Sequence, residues 1–234
     1  MGLCATILNR LPRLRAILLD GVLRVHNTCY TAASRLAVLE GGGTHPKHRI
    51  LDYHQWFLDH IAPGSSVLDI GCGAGNLSRS LSAKAGRVLA VDIVPANIAA
   101  AKRSPHAANI EYLCADATTL ELSNHAVDHV VLSNVLEHIR DRVTFLRSIA
   151  PLLSRGATLL LRVPMVDRDW LTLYKRERGV EWRLDPTHFT EYTEAELLAE
   201  LSAAGLALAG SPRIRFGEFY GVVVFDGRSG GNGA

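Results

Sequence analysis

Three glycines at alternate positions, Gly71, Gly73 and Gly75, constrain this chain more than any other feature. A short apolar run, Val67-Leu68, leads through Asp69-Ile70 into them, and a helical pattern starts at Asn76. The order reads as a buried strand, a tight glycine turn and a helix. Missing Cβ atoms at that junction let the backbone take positive φ and let a ligand lie against it. The exposed N–H groups of the helix start add a weakly positive surface. Strands that alternate with helices in this way predict an α/β fold with a mostly parallel sheet.

The spacing is G-x-G-x-G rather than G-x-G-x-x-G, which argues against a dinucleotide site. Asp69 precedes the glycines, at the carboxyl end of the strand, where open α/β sheets bind ligands. A carboxylate there repels a pyrophosphate and suits a ligand that carries an ammonium group. A turn serving only the strand-to-helix connection is the plainer alternative.

Asp69-Ile-Gly-Cys-Gly-Ala-Gly75 resembles the first motif of class I S-adenosylmethionine-dependent methyltransferases. The resemblance covers roughly Ile61 to Phe225, because the later signals fall in the family's order. It implies a Rossmann-like sheet of seven strands, mostly parallel, with a C-terminal antiparallel hairpin and helices on both faces. It implies S-adenosyl-L-methionine as cofactor and S-adenosyl-L-homocysteine as product. In the family the acid at Asp69 lies near the ligand's ammonium, and the glycines let its backbone pass.

Val88-Leu-Ala-Val-Asp92 reads as the second strand, its acid about twenty residues past the glycines. From there a carboxylate can accept both hydroxyls of a ribose, or simply cap the helix that begins near Pro95. The resemblance implies the ribose role for Asp92 and places Ile93 beside the adenine. Ile110 to Asp116 reads as a third strand ending in an acid, and Asp116-Ala117 resembles the family's adenine-binding pair. Val127 to Asn134 reads as the fourth strand; its end faces the transferred methyl group in the family, which makes Ser133 and Asn134 candidate contacts.

Glu137-His138 resembles the Leu-Glu-His of many small-molecule methyltransferases. Some quinone O-methyltransferases hold a divalent metal with two acids and this histidine. The first acid would fall at Asn134 here, so no metal is expected. His138 is a candidate general base, since histidine titrates near neutrality; a helix-start histidine that orients backbone is the alternative.

Arg142 to Leu153 reads as an amphipathic helix, and Thr158 to Pro164 as the fifth strand. Met165 to Tyr192 follows as an irregular segment rich in aromatic and charged residues, expected to form a lid or acceptor wall. Its end, Asp185-Pro-Thr-His188-Phe-Thr-Glu-Tyr192-Thr193, resembles methyltransferases of glycan and natural-product pathways, and that resemblance makes His188 the first candidate base. Thr193-x-x-Glu196 predicts a capping box, with Leu197, Leu198 and Leu201 following at helical spacing. Leu206 to Ala209 and Arg213 to Arg215 read as one strand and Tyr220 to Phe225 as a second, with Gly217 at the turn between them.

Residues 1–60 form a predicted helical extension ahead of a methyltransferase domain at 61–227, and 228–234 read as a disordered tail. Leu3 to Leu23 is apolar with interleaved arginines and reads as one or two amphipathic helices, a second covering Thr31 to Leu39. Charges interrupt the apolar run and no small-residue cleavage site follows, against a signal peptide. The extension can pack on the domain, contact a membrane surface or make a homodimer. Between Thr44 and His54 a basic, histidine-rich stretch leads into the domain; Arg49 or Lys47 is a candidate for the ligand's carboxylate. His45-x-x-His48 without an acid or cysteine is weak as a metal motif.

With 48% hydrophobic residues the chain can bury a sizeable core. A net charge of +2 with no basic stripe or Asn-Pro-Pro-Tyr motif points away from nucleic acid. Four cysteines without C-x-x-C pairing suit a reducing, cytoplasmic setting, with peripheral membrane association left open. The expected function is O-methylation of a small molecule or glycan. N- or C-methylation, and a non-catalytic S-adenosylmethionine-binding subunit docking through its N-terminal helices, are the alternatives.

Overall fold

The computed structural model describes residues 10–42, 45–120, 127–153 and 155–227. The start of the expected N-terminal helix and the 228–234 tail lie outside these. The described residues fall into two compact units. The first combines Met1–Leu51 with Asp169–Pro186, and the second combines Asp52–Arg168 with Thr187–Ala234.

The first unit holds α1 (Pro12–Glu40), α2 (Lys47–Leu51) and α7 (Trp170–Glu177). Two expected helices are one, running through Gly21, where a single glycine costs only about 1 kcal/mol. Pro12 opens it in the first turn, where no N–H partner is needed. Its inner side meets α7: Asn27 Oδ1 accepts from Lys175 Nζ at 2.6 Å, and Asp20 accepts from Arg178 Nε at 2.7 Å. The segment expected to be irregular thus contains a helix. Asp169 starts it by accepting from the Thr172 N–H at 2.8 Å, a cap the sequence reading passed over.

In the second unit, which begins at Asp52, α3 (Tyr53–His60) precedes the sheet. It belongs there by packing: Trp56 lies 5.4 Å from the Tyr220 ring, and the Arg162 guanidinium lies 4.1 Å from the Tyr53 ring. There follow β1 (Ser66–Ile70), α4 (Asn76–Ser82), β2 (Arg87–Asp92), α5 (Pro95–Arg103), β3 (Ile110–Cys114) and β4 (His129–Ser133). Beyond them come a 3-10 turn (Leu136–His138), α6 (Arg142–Leu153), β5 (Thr158–Pro164), α8 (Glu194–Ala203), β6 (Leu206–Leu208), β7 (Arg213–Arg215) and β8 (Glu218–Phe225).

The strand order is β3-β2-β1-β4-β5-β8-β6, with β7 also on β8. β1 to β5 are parallel and β8 runs antiparallel to β5. The order reverses direction between β1 and β4, where an open sheet leaves a crevice. Seven positions cross the sheet, as expected, but β6 and β7 share the last one. The expected single strand breaks at Gly210-Ser211-Pro212: proline has no N–H for the ladder and Gly210 takes φ +96°. Leu68, Leu132, Leu161 and Val163 point to one face and bury Leu146, Ile149, Leu197 and Leu201 of α6 and α8. The capping box of α8 is present in both directions between Thr193 and Glu196.

Candidate active site

Every residue lining the principal cavity belongs to the second unit. The cavity measures about 540 Å³ and sits at the carboxyl ends of β1, β2 and β3. Ile70 and Gly71 form its floor; Asp92, Ile93, Asp116 and Ala117 line it from the next two strands. Val135, His138, Ile139 and Phe189 line it too, with Thr144, Phe145 and Ser148 from α6.

The glycine turn is shaped by its neighbours. A Cβ on Gly71 would strike the Val135 side chain, and one on Gly75 would strike the Tyr112 ring. A Cβ on Gly73 would meet nothing within 4 Å. Gly73 donates its N–H to Asp92 Oδ2 at 2.8 Å. Asp92 Oδ1 accepts from the Val94 N–H at 2.8 Å and from Asn97 Nδ2 at 3.2 Å, so this acid ties the turn to the start of α5. A carboxylate has about four acceptor positions, which leaves capacity for a ligand's hydroxyl. Asp116 accepts the Thr118 N–H and hydroxyl at 2.9 and 2.7 Å through Oδ1.

Asp69 lies behind the cavity floor, 1% exposed. Burial raises its pKa to about 7, against the Ser78 hydroxyl that donates to it at 2.5 Å; the charge of Asp92 adds to the rise. Asn134 is held at φ +56°, and its buried Oδ1 has no hydrogen-bond partner among the described residues. Neither residue lines the cavity, nor do Gly73, Gly75 and His188. Arg49 is exposed on α2, in the first unit.

The structure brings together two histidines fifty residues apart in sequence. The His138 and His188 rings meet edge to face with centroids 4.7 Å apart. His138 Nδ1 is 3.1 Å from the Thr187 hydroxyl. His188 is buried, with Nδ1 2.9 Å from Glu191 Oε1. Glu191 is fully buried and its other oxygen accepts from Arg168 Nη1. Glu137 is also fully buried, and neither of its carboxylate oxygens has a partner among the described residues. Burial pushes its pKa up to about 8.

Ligand atoms of Glu137, His138 and His188 all lie within 4.8 Å of one another. Two imidazoles and a carboxylate are a donor set able to hold a divalent cation. The expectation of no metal rested on Asn134 replacing an acid; it did not foresee that His188 would stand beside Glu137-His138. Local spacing cannot show this, because Phe189 N–H bonds across to the Glu137 carbonyl at 2.8 Å. Phe189, Thr144 and Ser148 were missed as cavity residues as well. The last two are four apart on α6, a face the helical period could have shown.

Residues 68–161 match the family described as methyltransferase domain. A probable S-adenosylmethionine-dependent methyltransferase of Mycobacterium tuberculosis is 30% identical over 199 residues, 79% of this chain and 69% of that protein. The chain belongs to the S-adenosylmethionine-dependent methyltransferases. A ubiquinone biosynthesis O-methyltransferase of Bradyrhizobium diazoefficiens is 34% identical to this methyltransferase over 131 residues, 53% of this chain and 51% of that protein. The chain spans between 41% and 60% of the lengths of the ubiquinone biosynthesis O-methyltransferases it matches. The magnesium protoporphyrin IX methyltransferase of Synechocystis, solved with S-adenosylhomocysteine bound, superposes with a TM-score of 0.58 at 20% identity, covering 76% of this chain and 83% of that one. At that identity the likeness speaks for the fold. The mixed sheet with its antiparallel end is the methyltransferase fold expected from the glycine turn.

Proposed function

We propose that this methyltransferase transfers a methyl group to an oxygen of a small molecule or glycan. The reading is carried by one observation: His138 lines the cavity that holds Asp92 and Asp116, and behind it His188 is backed by the buried Glu191. S-adenosylmethionine, when bound, supplies an electrophilic methyl on its sulfonium. The chain's share of the work is alignment and one proton transfer. In this reading Asp92 accepts a ribose hydroxyl at its remaining acceptor position, and Ile93, Asp116 and Ala117 hold the adenine. Gly71, Gly73 and Gly75 let the ligand pass, Asp69 faces the ammonium, and Asn134 contacts the region of the methyl.

His138, whose ring lines the cavity, is placed to take the acceptor's proton, and His188 stands behind it with Nδ1 toward Glu191 Oε1. Glu191 is the orienting acid, as a carboxylate behind an imidazole fixes its tautomer.

Labelled methyl transfer into fractionated cell extract tests the reading. Label in small-molecule, lipid or glycan pools is expected, and label in protein or nucleic acid overturns the substrate class. His138→Ala should lower transfer by roughly 10²–10⁴-fold while S-adenosylhomocysteine still binds. Full activity without both histidines would favour N- or C-methylation. Binding of S-adenosylhomocysteine with no transfer into any pool would favour a non-catalytic subunit.

The unpartnered Glu137 carboxylate favours a second reading, in which Glu137, His138 and His188 hold a divalent cation. Such an ion would lower the pKa of a bound acceptor hydroxyl. Metal analysis of the purified chain, and transfer lost on chelation and restored by the ion, would favour it over a histidine base.

A further inference from the structure

The outer side of α1 carries a run of exposed apolar side chains: Leu11, Leu14, Leu18, Val22 and Val25, with Ile17 beside them. Leu11, Leu14, Leu18, Val22 and Val25 follow one another at steps of three, four, four and three residues, so they share one face. The inner side is occupied within its own unit, where Asp20, Leu23 and Asn27 face α7 or are buried. Exposures from 44% at Leu14 to 67% at Ile17 make this a patch rather than scattered surface residues.

Arginines stand on both flanks of the patch. Arg24 falls on the Ile17 side and Arg15 on the Val22 side, both exposed, whereas Arg13 stands seven residues before Asp20 and so nearer the inner side. The helix has two acids, and neither faces outward beside them: Asp20 is bound to Arg178, and Glu40 is the last residue. An apolar face edged by arginines is the pattern of a helix lying in a lipid interface, where the side-chain stems lie along the acyl boundary and the guanidinium groups reach the phosphates. A second copy of the chain fits less well, because a two-fold interface would set these arginines against one another with no carboxylate between. No described helix is long and apolar enough to cross a membrane.

We propose that α1 docks this protein on an anionic phospholipid surface, apolar face down, parallel to the bilayer plane. The docking stands apart from methyl transfer and does not depend on the acceptor being O-methylated. It makes a lipid-phase acceptor accessible without a membrane-spanning segment.

Co-sedimentation of the full chain with vesicles tests it. The protein should pellet with phosphatidylcholine vesicles containing phosphatidylglycerol and much less with phosphatidylcholine alone, and high salt should weaken the binding. Leu14→Glu/Leu18→Glu should abolish pelleting. Arg15→Gln/Arg24→Gln should weaken it by about fivefold per arginine, roughly 25-fold in total. S-adenosylhomocysteine binding, unchanged in both variants, shows that the fold is intact. No partition onto anionic vesicles, or partition indifferent to Leu14→Glu/Leu18→Glu, overturns the proposal. So does a concentration-dependent dimer that these two changes dissolve, which would assign the face to a second copy.

Discussion

Asp69 ends β1 shielded from water, with one neutral donor and a second carboxylate nearby. Its charged form is therefore disfavoured, and its pKa stands near 7. A ligand ammonium placed beside it needs the charged form. The sign follows directly: below pH 7 Asp69 is mostly protonated and must lose a proton on binding, while above pH 7 it is already ionised. Affinity for S-adenosylhomocysteine should rise roughly tenfold from pH 6 to pH 8, as the competent fraction of Asp69 grows. Calorimetric titration across that range checks this. Asp69→Asn should bind more weakly and lose the pH dependence.

Residues of this kind were legible in the sequence because their signals are local. Asp69, Asp92 and Asp116 each end an apolar run, and parallel pairing puts all three at one edge of the sheet. Glu137 was not legible as an unpartnered buried acid. Its burial comes from segments packed around it, and sequence spacing carries no account of desolvation.

Arg168 and Glu191 connect the exit of β5 to the approach of α8. Val166 N–H bonds to the Tyr192 carbonyl at 2.8 Å and Tyr192 N–H to the Pro164 carbonyl at 3.2 Å, so the two stretches also share backbone bonds. Removing one member of a buried ion pair leaves the other charge without compensation. Glu191→Ala should destabilise the protein by about 3–5 kcal/mol, read as a lower urea midpoint. The loss should exceed that of Thr193→Ala, which removes one cap and costs about 1 kcal/mol. The capping box of α8 could be read from four residues. The start of α7 at Asp169 could have been read in the same way, but the surrounding aromatic and charged residues drew the segment toward a loop. The break between β6 and β7 falls at Gly210-Ser211-Pro212, the gap between the two stretches expected to make one strand.

At the scale of the molecule, the chain leaves the sheet-bearing unit after Arg168, contributes Asp169–Pro186 to the first unit, and returns at Thr187. The first unit is thus held by contacts between α1 and a segment far along the chain. Lys175 is 5% exposed and gives its ammonium to Asn27 and His26. Deleting residues 1–40 should strip these partners. Hydrogen exchange should then show α7 losing protection while β1, β4 and β5 keep theirs, and equal loss in all would mean the units do not behave separately. The sequence reading placed an extension before a domain; it could not show that part of the expected lid folds with the extension, because that pairing is set by tertiary contact alone.

The same long-range pairing bears on synthesis. Translation delivers Pro12–Glu40 well before Trp170–Glu177, and at ordinary elongation rates the wait is on the order of ten seconds. Throughout that interval Asp20 and Asn27 lack their Arg178 and Lys175 partners, and the apolar outer face is uncovered. A nascent chain in that state is a ready client for a holding chaperone, or for any lipid surface near the ribosome exit.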